Sequence, residues 1–143
     1  MAVRMELSRI LIRELSDCQL IELREVPEPG QSLSDEPRSF PIVIGLPEAQ
    51  AIDRRLKGIE IDRPQTHDLL ASIIQKMDGE LERISITHLD EHTFFAELSI
   101  RTAGSEIIKI DSRPSDAIAI GIAADTPIYV AEDVITAATR EEN

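Results

Sequence analysis

The chain has 143 residues, of which 42% are apolar and 29% charged, and it carries a formal net charge of −12 with no tryptophan. That length sustains one domain with an aliphatic core, and the acidic balance argues against tight non-specific nucleic-acid binding, which depends on Lys and Arg neutralising phosphates. A single cysteine excludes an intramolecular disulfide and no segment approaches 18 apolar residues, so the expectation is a soluble cytoplasmic protein with no membrane contact.

Residues 5–14 and 18–26 read as two β-branched, apolar strands joined by a turn at Ser16-Asp17, with Cys18 a small core residue. Residues 27–37, rich in proline, glycine and polar side chains, read as a loop. A third strand, Phe40 to Ile44, ends at Gly45. A first helix opens at Pro47 and closes at Gly58, with Glu48 in its first turn and Arg54, Arg55 and Lys57 in its last. Those placements complement the helix dipole. Its expected inward stripe is Ala49, Ile52 and Leu56.

Thr66 caps a second helix in which Leu69, Leu70, Ile73, Ile74 and Met77 fall on one face. Residues 80–111 read as an antiparallel meander. Ile84 and Ile86 share a face that His88 continues, Phe94, Ala96, Leu98 and Ile100 share the next, and Ile108 and Ile110 turn inward on the last strand. Turns fall at Asp90-Glu91-His92 and Ala103-Gly104. Arg113-Pro114 then opens a helix that is apolar nearly all round and therefore buried. A short strand, Ile128 to Val130, precedes a last helix with Val134, Ile135 and Ala138 inward, and the tail 140–143 frays. Strands and helices in blocks, with antiparallel hairpins at both ends, predict one α+β domain over 1–143 with its core over about 5–136. Its antiparallel or mixed sheet has about seven strands, packed by about four helices.

Chemistry concentrates at helix N-termini. Glu48, Asp68, Asp116, Glu132 and Asp133 all lie there, where the dipole alone favours an acid by roughly 0.3–1 kcal/mol. Two or more of them converging could hold Mg²⁺ or Mn²⁺ through oxygen ligands. His67, in a first helical turn, is placed for a neutral imidazole that could serve as a general base or a metal ligand. Arg113 precedes the buried helix and suits a phosphate or carboxylate, with helix amides as further donors; an ion pair with Asp111 or Asp116 is the plainer alternative. Ser115 has neither a local histidine base nor a nucleophile elbow. No phosphate-binding glycine loop, zinc spacing or aromatic base-stacking platform is present.

Several separated segments resemble one family. They are Phe40-Pro41-Ile42-Val43-Ile44-Gly45 with Glu48-Ala49, Arg63-Pro64-Gln65-Thr66-His67-Asp68-Leu69-Leu70, Thr93-Phe94-Phe95-Ala96, Arg113-Pro114-Ser115-Asp116-Ala117-Ile118-Ala119, and Pro127-Ile128-Tyr129-Val130-Ala131-Glu132. In this order and spacing they are similar to the bifunctional nuclease domain family. The resemblance implies an α+β domain, often self-associating into a homo-oligomer, with nuclease activity on DNA and RNA. The matching motifs make His67, Asp68 and Asp116 the candidate catalytic residues. Arg113, Ser115 and Thr66 are candidates for substrate binding, and Glu48, Asp116 and Glu132 for Mg²⁺ or Mn²⁺. A rival reading is a non-catalytic oligomeric binding or regulatory module that recognises a small anionic ligand or a protein partner. The net acidity favours that rival. A basic cleft around Arg113 would favour the nuclease.

Overall fold

Alternation of apolar and polar side chains builds one seven-stranded sheet, which the computed structural model describes over residues 1–27, 30 and 36–141. In chain order the elements are β1 (Ala2–Leu11), β2 (Gln19–Glu25), β3 (Ser39–Ile44), α1 (Leu46–Lys57), α2 (Thr66–Lys76), β4 (Glu80–Asp90), β5 (Thr93–Arg101), β6 (Ile107–Ser112), α3 (Pro114–Gly121), a 3₁₀ turn (Ile122–Ala124), β7 (Ile128–Ala131) and α4 (Glu132–Glu141). The expected loop at 27–37 falls largely outside the described residues; of the tail expected to fray over 140–143, Arg140 and Glu141 instead complete α4, and residues 142–143 lie outside the described residues.

The sheet order is β3-β2-β1-β7-β4-β5-β6. Two antiparallel meanders, β1-β2-β3 and β4-β5-β6, are joined by β7, which runs antiparallel to β1 and parallel to β4. The architecture is therefore α+β with a mixed sheet. The hairpin between β4 and β5 turns at Glu91 and His92, whose φ values of 48° and 67° are those of a tight primed turn.

One face of the sheet carries the core. Met5, Ile21, Leu23, Phe40, Ile42, Ile84, Ile86, Ala96, Leu98, Ile128 and Val130 are all buried, together with Ala49 and Ile52 of α1 and Val134 and Ile135 of α4. Helix α3 is the centre of this layer. Every residue from Ala117 to Gly121 is buried, as the all-apolar pattern predicts, and its packing partners include α1, α2, β4 and β5.

Several local expectations fail. β1 begins at Ala2 rather than near residue 5, because its first residues pair with β7. Cys18 is exposed, and Gln19 takes the inward position. The Gln19 amide closes the β1–β2 turn by donating to the carbonyls of Arg13 (2.9 Å) and Ser16 (2.8 Å) while accepting from the Arg13 amide. His88 is exposed because a register shift between Ile86 and His88 interrupts the alternation that carried Ile84 and Ile86 inward. Leu56 is half exposed at the end of α1, and Ala51 takes a buried place instead.

The largest departure concerns α2 and β6. Leu69, Leu70, Ile73 and Met77 of α2 are exposed, as are Ile107, Ile108 and Ile110 of β6. Of the expected α2 stripe, only Ile74 packs partly against the core. β6 is the last strand of the sheet, and α2 stands over the groove beside it rather than covering it.

Gly121 marks the tightest packing of α3. A Cβ there would lie 2.9 Å from Thr126 Cβ and 3.0 Å from Ile84 Cδ1. Gly121→Ala should therefore destabilise the protein by about 1–3 kcal/mol through overpacking, read as a lower urea midpoint at unchanged slope.

Candidate functional site

The C-terminal end of β6 runs into Arg113, the N-cap of α3, with Pro114 at the first helical position. Pro114 needs no amide partner there, so the turn can be sharp. Asp116 lies in the first turn of α3, and among the residues from Pro114 to Gly121 it alone is not buried. The neighbouring α2 begins beside it and presents His67, which is 8% exposed. His67 Nε2 lies 2.9 Å from Asp116 Oδ1.

Arg113 extends this pair. Its Nε donates to Asp116 Oδ2 at 2.9 Å and its Nη2 to Glu48 Oε1 at 2.5 Å. Glu48 comes from the first turn of α1, so three helix N-termini deliver four side chains to one polar chain, His67–Asp116–Arg113–Glu48. Gly45 makes room for it: a Cβ there would sit 2.8 Å from Glu48 Oε2. That oxygen is buried and has no hydrogen-bond partner among the described residues. Burial raises the pKa of the Asp116 carboxyl, but the hydrogen bonds from His67 and Arg113 outweigh it and the net shift is downward.

A cavity of about 790 Å³ opens at this chain. Its rim holds Glu48, Thr66, His67, Asp111, Arg113 and Asp116, and its floor is apolar, formed by α2, β5 and β6. The rim thus carries three carboxylates against one arginine and one histidine. Arg113 itself is 64% exposed, and its two engaged nitrogens leave three of its five N–H donors for a ligand.

The remaining candidates lie elsewhere. Asp68 follows His67 but turns the other way, towards α1. It accepts from Arg54 Nη1 (3.1 Å) and Nη2 (2.8 Å), from Arg55 Nη1 (2.6 Å) and from the Gln65 amide (3.1 Å). The Arg54 hydrogen bonds, aided by Arg55, hold its carboxyl well below the usual carboxylate range despite the opposing effect of burial. Ser115 is buried beside a separate depression formed with β3 and Phe94. Glu132 opens α4 and pairs with Arg38, which also binds Glu25 at 2.8 Å and lowers the pKa of both acids. Glu48, Asp116 and Glu132 therefore do not form one metal set, and the described residues contain no group of three or more His, Cys, Asp or Glu placed to hold a metal ion.

Two parts of this arrangement escaped the sequence reading. The pairing of Arg54 and Arg55 with Asp68 joins helices whose proximity no local pattern reveals. Gly45 was visible as the end of β3, whereas its role as a cradle for Glu48 depends on the folded carboxylate.

The sequence profile of the bifunctional nuclease domain matches residues 32–143. An uncharacterized protein of Mycobacterium tuberculosis is 41% identical over 101 residues, covering 71% of this chain and 59% of the relative. Bifunctional nuclease 1 of Arabidopsis thaliana is 28% identical over 93 residues, covering 64% of this chain and 29% of the relative. Bifunctional nuclease 2 of Oryza sativa subsp. japonica is 29% identical over 109 residues, covering 73% and 34% respectively. The matched region thus spans about three-fifths of the mycobacterial protein and about a third of the plant ones.

The downward pKa shifts of Asp68, Asp116, Glu25 and Glu132 fix the sign of the acid response. Each carboxylate contributes stability that is fully present above its unfolded-state value, near pH 4, and is lost as pH falls through its lower folded-state value. Unfolding free energy should fall steadily below about pH 4. In Asp68→Asn it should start about 2–3 kcal/mol lower at neutral pH and decline less steeply with acid, as denaturant titrations at several pH values would record.

Proposed function

The chain belongs to the bifunctional nuclease domain family, and on that premise we propose that it hydrolyses phosphodiester bonds of DNA or RNA at the His67–Asp116–Arg113–Glu48 chain. The observation that carries this reading is the 2.9 Å pairing of His67 Nε2 with Asp116 at the rim of an open cavity. A carboxylate can only accept, so Nε2 carries the proton and Nδ1 becomes the basic atom of the neutral ring. In this reading His67 takes a proton from the attacking water, and Asp116 orients the ring and stabilises the imidazolium. Arg113 directs its remaining N–H donors to a non-bridging phosphate oxygen. As the water oxygen bonds to phosphorus, the P–O bond to the leaving oxygen breaks and the imidazolium gives its proton to that oxygen. Glu48 holds the guanidinium in place.

Mg²⁺ or Mn²⁺ was expected on Glu48, Asp116 and Glu132, and these three do not fit such a site together: Glu132 is committed to Arg38, and the other two share Arg113. No step of the proposed chemistry depends on a metal. The acidic rim and apolar floor of the cavity favour the second reading, a module that binds a ligand or protein partner without cleaving it. We also place the chain in a reducing, cytoplasmic setting, which its single cysteine, an exposed thiol, supports.

Cleavage of single- and double-stranded substrates by repurified protein tests these readings. His67→Ala and Asp116→Asn should each lower the rate by about 10²-fold or more. Glu132→Gln should cleave at the wild-type rate at every Mg²⁺ or Mn²⁺ concentration, whereas a changed metal response there would restore Glu132 to the site. Wild-type protein that cleaves nothing, or site variants that cleave at the wild-type rate, would overturn the nuclease reading in favour of the binding module.

A further inference from the structure

The two edges of the sheet are finished differently. On β3, Pro41 removes an amide from the middle of the strand, a common protection against unwanted pairing. On β6 there is no proline. Its residues 107–112 run Ile-Ile-Lys-Ile-Asp-Ser, and Ile107, Ile108 and Ile110 are 43%, 42% and 43% exposed. Among the described residues β6 pairs with β5 alone. The groove beside it is walled by Leu70, Ile73 and Met77 of α2, which are also exposed. An unpaired apolar strand next to an uncovered apolar helix face marks an interaction surface.

The charges on β6 select the partner. Lys109 and Asp111 share one face of the strand, and Ile108 and Ile110 share the other, the face that lines the groove. When two copies of this strand pair antiparallel about Ile110, each Lys109 lies opposite the partner's Asp111, and Ile110 lies opposite its own counterpart. Shifting the register by two residues either way places Lys109 against Lys109 or Asp111 against Asp111. The strand is therefore self-complementary in one register and self-repelling in its neighbours. A two-fold axis perpendicular to the sheet keeps both helical layers on the same side, so the two grooves meet with an α2 on each flank.

We propose that a second copy of this chain binds the free edge of β6 in this register, forming a symmetric dimer through a continuous sheet. The proposal rests on the edge, the groove and the charge pattern, and it stands whether or not the protein cleaves nucleic acid.

Sedimentation and native mass spectrometry of the full chain, with Lys109→Glu and Asp111→Lys as separate variants, test it. Wild type should be dimeric, and each variant should raise the dimer's dissociation constant about tenfold or more, because both cross-strand pairs become like-charged. Mixing the two variants should restore a dimer that is heteromeric, since every cross-strand pair then joins an acid to a base. Hydrogen exchange should show β6 amides protected in wild type and in the mixture but not in either variant alone. Circular dichroism identical to wild type would show that both variants fold. Wild type that stays monomeric across the micromolar range would overturn the proposal and assign the edge to a strand from another protein. Variants that dimerise like wild type, or a mixture that forms no heterodimer, would also overturn it.

Discussion

Arg55 reaches from the last turn of α1 to two other helices at once. Its Nε donates to the Ala119 carbonyl at 2.7 Å and its Nη2 to the Ile120 carbonyl at 3.0 Å, near the end of α3, while its Nη1 holds Asp68 at the start of α2. A cation at the C-terminal carbonyls of a helix is favoured by the dipole, and an acid in a first turn is favoured for the same reason. Arg54 adds two more bonds to the same carboxylate. All three side chains are mostly buried, and hydrogen bonds to charged groups are worth about 1.5–3 kcal/mol each. This junction positions α1, α2 and α3 relative to one another.

The site depends on that junction through adjacency in sequence. Asp68 points towards the arginines of α1, and its neighbour His67 points towards Asp116 of α3. Fixing the first therefore sets the distance available to the second. Glu48 enters from the opposite end of α1, whose other end carries Arg54 and Arg55. Three helix N-termini meet as a result, and their aligned amides favour the carboxylates they carry. Arg113 bridges two of those carboxylates, which limits their mutual repulsion and leaves its remaining donors turned outward. The cluster stands at the rim of an apolar groove, where burial of His67 strengthens its contact with Asp116 while solvent screens the contacts of the exposed Arg113.

Much of the architecture was legible in the sequence because it is written in local rules. The apolar run from Ala117 to Gly121 predicts a buried helix, and it is buried. Gly58 adopts φ 65° where a left-handed C-cap was expected, and the alternation in β5 divides its faces as predicted. Local periodicity establishes that a helix or strand has an apolar face, but says nothing of what covers it. The same reasoning therefore placed Ile108 and Ile110 inward, and they are exposed, as are Leu70 and Ile73 on the apolar face of α2. Cys18 and His88 failed for a related reason: a buried turn-closing Gln19 and a β-bulge shift the alternation by a residue.

The sequence by itself determined the elements, the α+β class, the family and the small set of residues with chemistry to offer, because periodicity, caps and motifs act over a few residues. Tertiary structure decided which of those residues meet. It brought Glu48, His67, Arg113 and Asp116 together, sent Asp68 to the arginines of α1 and Glu132 to Arg38, and left β6 as an edge. The physical reason is that an acidic side chain in a first helical turn is equally favoured by the dipole whether it faces a substrate, a partner helix or solvent. Only the packing of helices that lie dozens of residues apart in the chain breaks that equivalence.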